Sequence, residues 1–485
     1  MKKKLLFLVA ILCIFTLSVF GCGGIDLGNG PKASDTVYGN GGVAVVKGNY
    51  LYFANAYLDY NQIGSNDNKF DSEGAMQKRY GIYRTKLNTS GVVELNSNGV
   101  PVGAELLVPQ VGGYSDSGIY ICGEYLYYTT PYSGYKTGSS DLTKGLLRFE
   151  RVTLNGQDHT ILSEGEFTTD CKYSVNYIGN TTYISILSGS KITIIKVKAN
   201  GDTSKSTIDS VKDYCVEEQT TLVYNKAVND VNKYVYFTKT DADENYSLYR
   251  KPLSGGATET LIPTSTEAIE LVAVKNNRVY FKQADKLKSA VPVYDKENKV
   301  TTGFDESEVI NYASAFNFAA DATTGIVDYL ILDDTYGFAQ NRGIVAVYTD
   351  GSNYSLIQFK ADGTFKNITS GTKQYTLKFT EGSTVYYQVA ESDALYSFDY
   401  EKEDAEQQEV ISSFTTTVKV GEAEESIVDF DANRVFFFSK AKNSNEKYNY
   451  LHVALLSGNY FEDADGNSVA QYVGVLDSAD VKKEK

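Results

Sequence analysis

The chain has 485 residues, a formal net charge of −15, 39 Tyr, 23 Phe and no Trp. This acidic balance argues against nucleic-acid binding, in which Lys and Arg neutralise phosphates, and against adhesion to anionic lipid by charge alone. The chain also exceeds the roughly 250–300 residues at which single hydrophobic cores stop growing, so we expect several domains or a repeat architecture.

The N-terminus has the three parts of a cleavable export signal. Three lysines at positions 2–4 precede the apolar run Leu5–Phe20, and the small residue Gly21 comes directly before Cys22. The apolar run is shorter than the roughly 20 residues that a membrane-spanning helix needs. We therefore interpret residues 1–21 as a signal peptide that is removed.

The tetrapeptide Val19-Phe20-Gly21-Cys22 resembles the bacterial lipobox. This resemblance implies cleavage after Gly21 and attachment of lipid to the Cys22 sulfur. A bacterial lipoprotein cysteine carries at least two acyl chains, which hold a protein firmly on a bilayer. We expect a mature chain anchored through Cys22 on the extracytoplasmic side, with a net charge near −18 because the three lysines leave and no acid does. The alternative is an ordinary secretory signal with an incidental cysteine.

Composition divides the rest of the chain into three parts. Residues 22–40 are rich in Gly, Asp, Asn, Ser and Pro, which is typical of a flexible tether. Residues 41–475 contain strand-like patterns throughout, and residues 476–485 form a charged tail. No second apolar stretch is long enough to span a bilayer.

A phrase with paired aromatic residues recurs along residues 41–475, and it consists of a turn followed by a strand-like run. Its copies are GNYLYFA from Gly48, GEYLYYTT from Gly123, GNTTYISI from Gly179, NKYVYFT from Asn232, NNRVYF from Asn276, RGIVAVYT from Arg342, GSTVYYQ from Gly382 and ANRVFFF from Ala432. Tyr, Phe, Val and Thr favour strands, so each copy predicts a strand at a fixed place in a repeated unit.

A second strand-like run and a polar turn follow most copies, and short apolar stretches flank them. Examples are LLRFERVTLNGQ from Leu146, SLYRKPLSGG from Ser247 and ALYSFDYEKED from Ala394. Asn-Gly and Asp-Gly pairs between such runs are strong hairpin signals. Four antiparallel strands per unit, repeated around a ring, define a β-propeller. The sequence therefore predicts an all-β propeller of four-stranded blades.

The aromatic phrases give the number of blades. Eight copies predict eight blades, with seven as the close alternative, because the unit around Tyr280 lacks a clear second run. Spacings longer than the 40–50 residues of a blade predict insertions at Asp59–Arg79, Pro131–Lys144 and Asp295–Tyr329.

Several runs are similar to the YWTD propellers of the low-density-lipoprotein-receptor type and to bacterial propellers of unknown function. Tyr127–Thr130 (YYTT) and Tyr236–Lys239 (YFTK) stand where that motif has Tyr-Trp-Thr-Asp, and Leu248–Arg250 with Leu253–Gly256 resembles its second strand and turn. The chain departs from the motif because it has no Trp and lacks the Asp in both copies. The resemblance implies a propeller over most of the mature chain.

The cysteines do not form a disulfide framework. Cys13 leaves with the signal and Cys22 is the predicted anchor, so Cys122, Cys171 and Cys215 remain. An odd number of widely spaced thiols is not the pattern of a disulfide-rich scaffold. We expect three buried thiols, with a Cys171–Cys215 bridge as the alternative.

No catalytic or metal-binding constellation stands out. The two histidines, His159 and His452, are far apart in sequence, and no hydrolase-type Gly-x-Ser-x-Gly is present. Asp463–Asn467 and the acidic stretch Asp59–Gly74 are rich in oxygen ligands, but a hairpin turn and a solvated loop explain them better than calcium sites. We therefore assign no catalytic residue, metal or cofactor.

These observations favour a non-catalytic binding or scaffold module, attached to the membrane through Cys22, with a protein or glycan as ligand and no role for nucleic acid. The alternative is a carbohydrate-active enzyme, either a glycoside hydrolase or a lyase, that uses carboxylates on the propeller face. Glycoside hydrolysis requires two carboxylates roughly 5–10 Å apart in a cleft. Such a pair would distinguish the two functions.

Overall fold

The computed structural model of the protein is built from β-strands. It describes residues 30–57, 80–88, 91, 93, 103–109, 118–131, 146–168, 171–217, 221–222, 234–275, 277–284, 286–295, 297, 300–309, 324–332, 343–360, 364–402, 406–412, 414, 417–420, 423–426, 428–431, 434–440, 449–456, 461–462 and 468–474. Across these ranges no helix has both the length and the apolar character needed to cross a membrane.

The strands of the first half of the chain are short and regularly spaced. In order they are β1 Val37–Tyr38, β2 Ala44–Lys47, β3 Tyr50–Ala54, β4 Ala56–Tyr57, β5 Ile82–Lys86, β6 Glu105–Val108, β7 Tyr120–Cys122, β8 Tyr125–Pro131, β9 Leu146–Thr153, β10 Thr160–Thr168, β11 Lys172–Ile178, β12 Thr181–Ser188, β13 Lys191–Val197, β14 Thr203–Asp209, β15 Asp213–Val216, β16 Thr221–Leu222, β17 Tyr234–Thr240, β18 Tyr246–Pro252 and β19 Glu259–Ser265.

The second half continues the same spacing. Its strands are β20 Ile269–Lys275, β21 Arg278–Gln283, β22 Lys286–Asp295, β23 Val300–Glu308, β24 Gly325–Ile331, β25 Ile344–Thr349, β26 Tyr354–Phe359, β27 Phe365–Gly371, β28 Tyr375–Glu381, β29 Thr384–Val389, β30 Leu395–Asp399, β31 Gln408–Ile411, β32 Thr417–Val420, β33 Ala423–Ser426, β34 Val428–Asp431, β35 Arg434–Lys440, β36 Asn449–Leu455, β37 Phe461–Glu462, β38 Ser468–Val469 and β39 Gln471–Tyr472.

Seven antiparallel blades follow one another along the chain. The first is β2-β3-β5-β6, the second β7 to β10, the third β11 to β14, the fourth β15-β17-β18-β19, and the fifth, sixth and seventh are β20 to β23, β24 to β27 and β28 to β31. The first strands of neighbouring blades contact each other, as β7 does with β2 and β11 and β15 does with β20. These first strands therefore lie innermost, and the fourth strands lie at the rim.

A closing sheet joins the two ends of the ring. It has three long strands, β34, β35 and β36, and its outer edge is shared by the two-residue strands β39 and β4, the latter coming from the first blade. The Leu451 amide also donates to the Asn55 carbonyl at 3.2 Å. Because β4 belongs to the start of the chain, the first blade completes the last sheet.

Hydrophobic cores fill the spaces between successive sheets all the way around. Five separate clusters each join one sheet to the next, from the third blade through the fourth, fifth, sixth and seventh blades to the closing sheet. One larger cluster joins the first three blades, and another packs Leu51 and Phe53 of the first blade against Phe436 and Leu451 of the closing sheet. Each blade thus shields the apolar faces of its neighbours, which confirms the propeller ring that the aromatic repeats predict.

The seven complete blades match the lower of the two predicted counts. The predicted eighth unit, at Phe436, lies in β35 of the closing sheet. The unit around Tyr280 is a full blade because β22 supplies its third strand. The whole of β23 and the start of β24 fall within the predicted insertion Asp295–Tyr329. The predicted insertions Asp59–Arg79 and Pro131–Lys144 lie, apart from Pro131 in β8, outside the described residues.

The propeller begins before residue 41, where we expected the tether to end. Val37 in β1 is fully buried, and the Asn40 side chain accepts a hydrogen bond from the Ile121 amide at 2.6 Å. β1 pairs with β2 on one side and, on the other, with β16, which lies between β15 and β17 in the sequence. Residues 37–40, at the end of the predicted tether, thus form strand and core contacts. The signal peptide, Cys22 and residues 476–485 lie outside the described residues.

The three cysteines of the propeller are not joined in disulfide bonds. Cys122 and Cys171 are buried and Cys215 is half-buried. The alternative of a Cys171–Cys215 bridge is therefore wrong. Cys171 precedes the first strand of the third blade, and Cys215 lies in the first strand of the fourth. The two cysteines pack in different hydrophobic clusters.

Candidate ligand-binding pocket between the second and third blades

A pocket of about 530 Å³ lies between the second and third blades, and the N-terminal segment forms part of its wall. It is lined by Ala33, Ser34, Cys122, Gly123, Glu124, Tyr125, Tyr127, Arg151, Tyr177, Asn180, Thr182, Val197, Lys198 and Ala199. This volume is within the range of small-molecule sites, roughly 300–1,000 Å³.

Tight turns build the rim of the pocket. Gly123 and Asn180 connect the first and second strands of their blades with φ angles of 64° and 62°. Gly and Asn are residues that adopt this left-handed conformation readily. A Cβ at Gly123 would stand 3.3 Å from the Tyr177 hydroxyl, so the glycine keeps this corner of the pocket open.

Arg151 is the charged side chain at the centre of the site. Only 3 % of it is exposed, and its guanidinium lies 3.8 Å from the centre of the Tyr125 ring. Its two terminal nitrogens donate to the carbonyls of Lys198 and Ala199 at 3.2 and 3.1 Å. Its Nε is buried without a hydrogen-bond partner among the described residues. These contacts hold the guanidinium in place but supply no negative charge.

The same arginine position recurs in two other blades, where it is paired with a glutamate. In the first blade Arg84 stands opposite Tyr52 and donates to Glu105 at 2.8 Å. In the fourth blade Arg250 stands opposite Tyr236 and donates through Nε to a glutamate on the neighbouring strand at 2.7 Å. Both arginines are almost fully buried, like Arg151.

The second blade has the arginine without the acid. The strand register places Glu105 beside Arg84 and Glu259 beside Arg250, whereas Thr160 stands beside Arg151. Within the part of the chain that the structure describes, no carboxylate forms an ion pair with Arg151. The pocket is therefore lined by a buried cation whose glutamate partner in the first and fourth blades is replaced by a neutral side chain.

Hydroxyl groups surround the guanidinium. The Thr182 hydroxyl donates to the Tyr127 hydroxyl at 3.0 Å, and the Tyr177 hydroxyl donates to the Asn180 side-chain oxygen at 3.3 Å. Burial raises the pKa of Tyr127 and of Tyr177, so both phenols stay protonated near neutral pH. They offer neutral donors and acceptors to a bound molecule.

Two further ionisable groups are Cys122, which lines the pocket, and Lys47, which contacts the backbone of two lining residues. Burial lowers the pKa of Lys47 to about 8, and its ammonium donates to the carbonyls of Ala33 and Gly123 at 3.4 and 3.1 Å. Burial raises the pKa of the Cys122 thiol to about 12, so this cysteine is a neutral wall residue and not a nucleophile. Lys47 thereby ties the N-terminal segment to the rim of the pocket.

The two histidines lie away from this pocket and apart from each other. His159 contacts the fully buried Glu150 at 2.5 Å, and Glu150 also accepts a hydrogen bond from the Thr130 hydroxyl. His452 is in the closing sheet, where its Nδ1 donates to the Tyr450 carbonyl and burial lowers its pKa to about 4. The structure thus gives the histidines partners in two different sheets.

The acids of the site are few. Glu124 is the one carboxylate among the described residues that line the pocket. Among the residues that the structure describes, no group of three or more His, Cys, Asp or Glu side chains is arranged to hold a metal ion. The possible calcium loops Asp463–Asn467 and Asp59–Gly74 lie outside the described residues.

The sequence analysis missed Arg151, although a signal for it is present. The second strand-like runs contain an arginine at 84, 151 and 250, and Thr160 and Glu259 each follow the arginine by nine residues. The apolar runs HTILS and ETLIP suggest a different alignment, in which His159 would match Glu259. The strand register, which the turns fix, places Thr160 there instead.

Comparisons with known proteins find only remote likenesses to solved structures. No protein-family model and no curated protein matches it. An oligogalacturonate lyase from Vibrio parahaemolyticus is 9% identical, with 65% of this chain and 87% of that chain covered and a TM-score of 0.40. A manganese-bound oligogalacturonate lyase is 12% identical (69% and 94% covered, TM-score 0.40), and a chain of a nidogen/laminin complex is 10% identical (74% and 93%, TM-score 0.26). At these identities and TM-scores the likeness supports no statement about the function of this chain.

Proposed function

We propose that this protein is an extracytoplasmic lipoprotein, held on the membrane through Cys22, whose propeller binds a ligand without catalysing a reaction. The pocket between the second and third blades is the proposed ligand site. The observation that carries this proposal is a pocket of small-molecule size with fixed polar groups and a single carboxylate among its described lining residues.

The chemistry of the lining favours binding over hydrolysis. Ligand sites combine apolar and aromatic walls with a few fixed polar groups, which the tyrosines, Asn180, Thr182 and Arg151 supply. Glycoside hydrolysis needs an acid and a second carboxylate about 5–10 Å away. Glu124 alone does not provide that pair, so the alternative of a glycoside hydrolase lacks support at this pocket.

The proposed anchor is close to the pocket along the chain. Ala33 and Ser34 form part of the pocket wall, and the proposed lipidation site precedes Ala33 by eleven residues. A fully extended chain spans at most about 3.6 Å per residue, so the pocket would stand within about 40 Å of the membrane surface. A ligand bound there would be held close to the cell envelope.

The anchor is tested by metabolic labelling with an alkyne analogue of palmitate. We expect the native chain to incorporate the label and to fractionate with membranes. The Cys22→Ser variant should lose the label, whereas Cys122→Ser, in the propeller, should keep it. Equal labelling of the native and Cys22→Ser chains would contradict lipidation at Cys22.

The binding role is tested by exposing the full chain, purified in detergent, to arrays of glycans and peptides. We expect retention of at least one class of compound without any change in its mass. Release of shortened or unsaturated glycan products would instead support the carbohydrate-active enzyme. Retention of no compound on either array would contradict the binding role.

A further inference from the structure

We propose that Arg151 anchors the carboxylate group of a small ligand in the pocket between the second and third blades. This inference rests on the proposed function, since it takes that pocket as the ligand site, and it adds the chemical class of the ligand. The ligand's carboxylate would pair with Arg151 in the way that a glutamate of the chain pairs with the arginine in two other blades.

The internal repeat shows how a buried arginine at this position is paired in other blades. Arg84 and Arg250 show what this arginine position requires when it is buried, because each holds a carboxylate oxygen within 2.8 Å. Arg151 has the same tyrosine opposite and the same degree of burial, but Thr160 replaces the acid. Of the three blades, only the second leaves this cation unneutralised within the described residues, and it is the blade that borders the pocket.

The contacts of Arg151 leave its positive charge without a counter-ion among the described residues. A buried charge without a counter-ion is unfavourable, and the two backbone carbonyls that it contacts satisfy hydrogen bonds without cancelling the charge. The ring of Tyr125 offers its face, which attracts a cation but leaves the edges of the guanidinium for hydrogen bonds. A planar fork of donors held in this way matches a carboxylate, which can accept two of them at once.

The remaining lining limits the size and type of the ligand. About 530 Å³ accommodates a molecule of the size of one or two sugar rings or an amino-acid derivative. The hydroxyls of Tyr127, Tyr177 and Thr182 suit the polar groups of either molecule. Glu124 lies at the same rim, and its negative charge repels anions that enter the pocket without contacting Arg151.

The test is isothermal titration calorimetry on the full chain in detergent. The probes are D-glucuronate and N-acetylglutamate, and their neutral counterparts are D-glucose and N-acetylglutamine. We expect one acid, or both, to bind at least about tenfold more tightly than its neutral counterpart, because a charge-assisted pair of hydrogen bonds contributes that much. The acid that binds then tells whether the carboxylate comes from a sugar or from an amino acid.

Two matched variants assign the effect to Arg151. Thr160→Glu restores the pair seen in the first and fourth blades and should weaken acid binding about tenfold or more. Gln408→Glu adds the same charge at the equivalent register position of the seventh blade, beside Ser397, and should leave the affinity unchanged. Should Thr160→Glu not fold, Arg151→Gln must give the same loss.

Each other result overturns the inference. Equal binding of acids and neutral counterparts would remove the carboxylate as the recognised group, and acid binding that survives Thr160→Glu would place the carboxylate away from Arg151. Either result leaves the pocket as a ligand site and so leaves the proposed function standing. No binding of either acid would also overturn the inference, whereas the proposed function fails only if the glycan and peptide arrays retain nothing.

Discussion

The fourth and second blades have a buried arginine at the same position, but only the fourth pairs it with an acidic side chain among the described residues. Arg250 is held by Glu259 and lies over Tyr234, so its blade satisfies the charge internally. Arg151 lies over Tyr125 in the same manner, but its neighbour on the fourth strand is Thr160. The same repeated position therefore stabilises the fourth blade and, in the second, leaves a buried charge at the proposed ligand site.

The largest expected effect comes from breaking the fourth-blade pair. Glu259→Thr copies the second blade and leaves Arg250 buried without its acid. Removing one partner of a buried pair costs about 3–5 kcal/mol, and Glu259 is about one-third exposed, so we expect a loss of about 2 kcal/mol in the free energy of unfolding. Urea denaturation measures it, and a change within about 0.5 kcal/mol would contradict a structural role for the pair.

A second effect separates Arg151 from the buried Lys47 by pH. Lys47 has a pKa of about 8 in the folded chain and about 10.5 when unfolded, so the unfolded state binds more protons between these values. Stability should therefore rise as the pH increases from 8 to 9.5, by about 1–2 kcal/mol, and the rise should vanish in Lys47→Met.

Arginine does not titrate in this range, so its contribution to acid binding should persist. The affinity of the native chain for D-glucuronate or N-acetylglutamate should change less than about twofold between pH 7.5 and 9.5. A steep fall of affinity near pH 8 would identify Lys47, and not Arg151, as the cation that the ligand contacts.

A smaller gain is expected from repairing the second blade. Thr160→Glu should raise the free energy of unfolding by about 1 kcal/mol, because a buried guanidinium gains a charged acceptor while the new acid stays partly solvated. Arg151→Met combined with Thr160→Glu should lose this gain. A stabilisation that survives in the double variant would show that the introduced carboxylate acts through some other contact.

The smallest effect is predicted for a blade that lacks the arginine. Gln408→Glu puts an acid beside Ser397 in the seventh blade. The position is exposed, and surface substitutions of this kind usually change stability by less than about 0.5 kcal/mol. A large change in the urea midpoint would mean that the effect of Thr160→Glu cannot be assigned to Arg151 by this comparison.

The sequence predicts the ring well because its signals are local. Tyr52, Tyr127 and Tyr236 all lie on second strands, where the paired aromatic residues face neighbouring blades. The fifth blade was harder to predict because β22 begins with Lys286-Leu-Lys-Ser and has no aromatic pair near its start. Its place in the sheet depends on pairing with β21 and β23, which a local pattern does not reveal.

The candidate site was less predictable for the same reason. Its residues come from the N-terminal segment and two blades, and what makes Arg151 special is the neighbour that it lacks. Recognising that absence requires the register of the third and fourth strands in three blades at once. Local patterns do not predict the closing sheet either, because its strands β4 and β36 come from nearly opposite ends of the chain.

A crystal structure of the chain soaked with D-glucuronate and, separately, with N-acetylglutamate would show whether Arg151 binds a carboxylate. We expect a carboxylate of at least one compound in the pocket between the second and third blades, with an oxygen about 3 Å from a guanidinium nitrogen of Arg151. A bound compound whose carboxylate turns away from Arg151, or an Arg151 already paired with an acidic side chain of the chain itself, would contradict it.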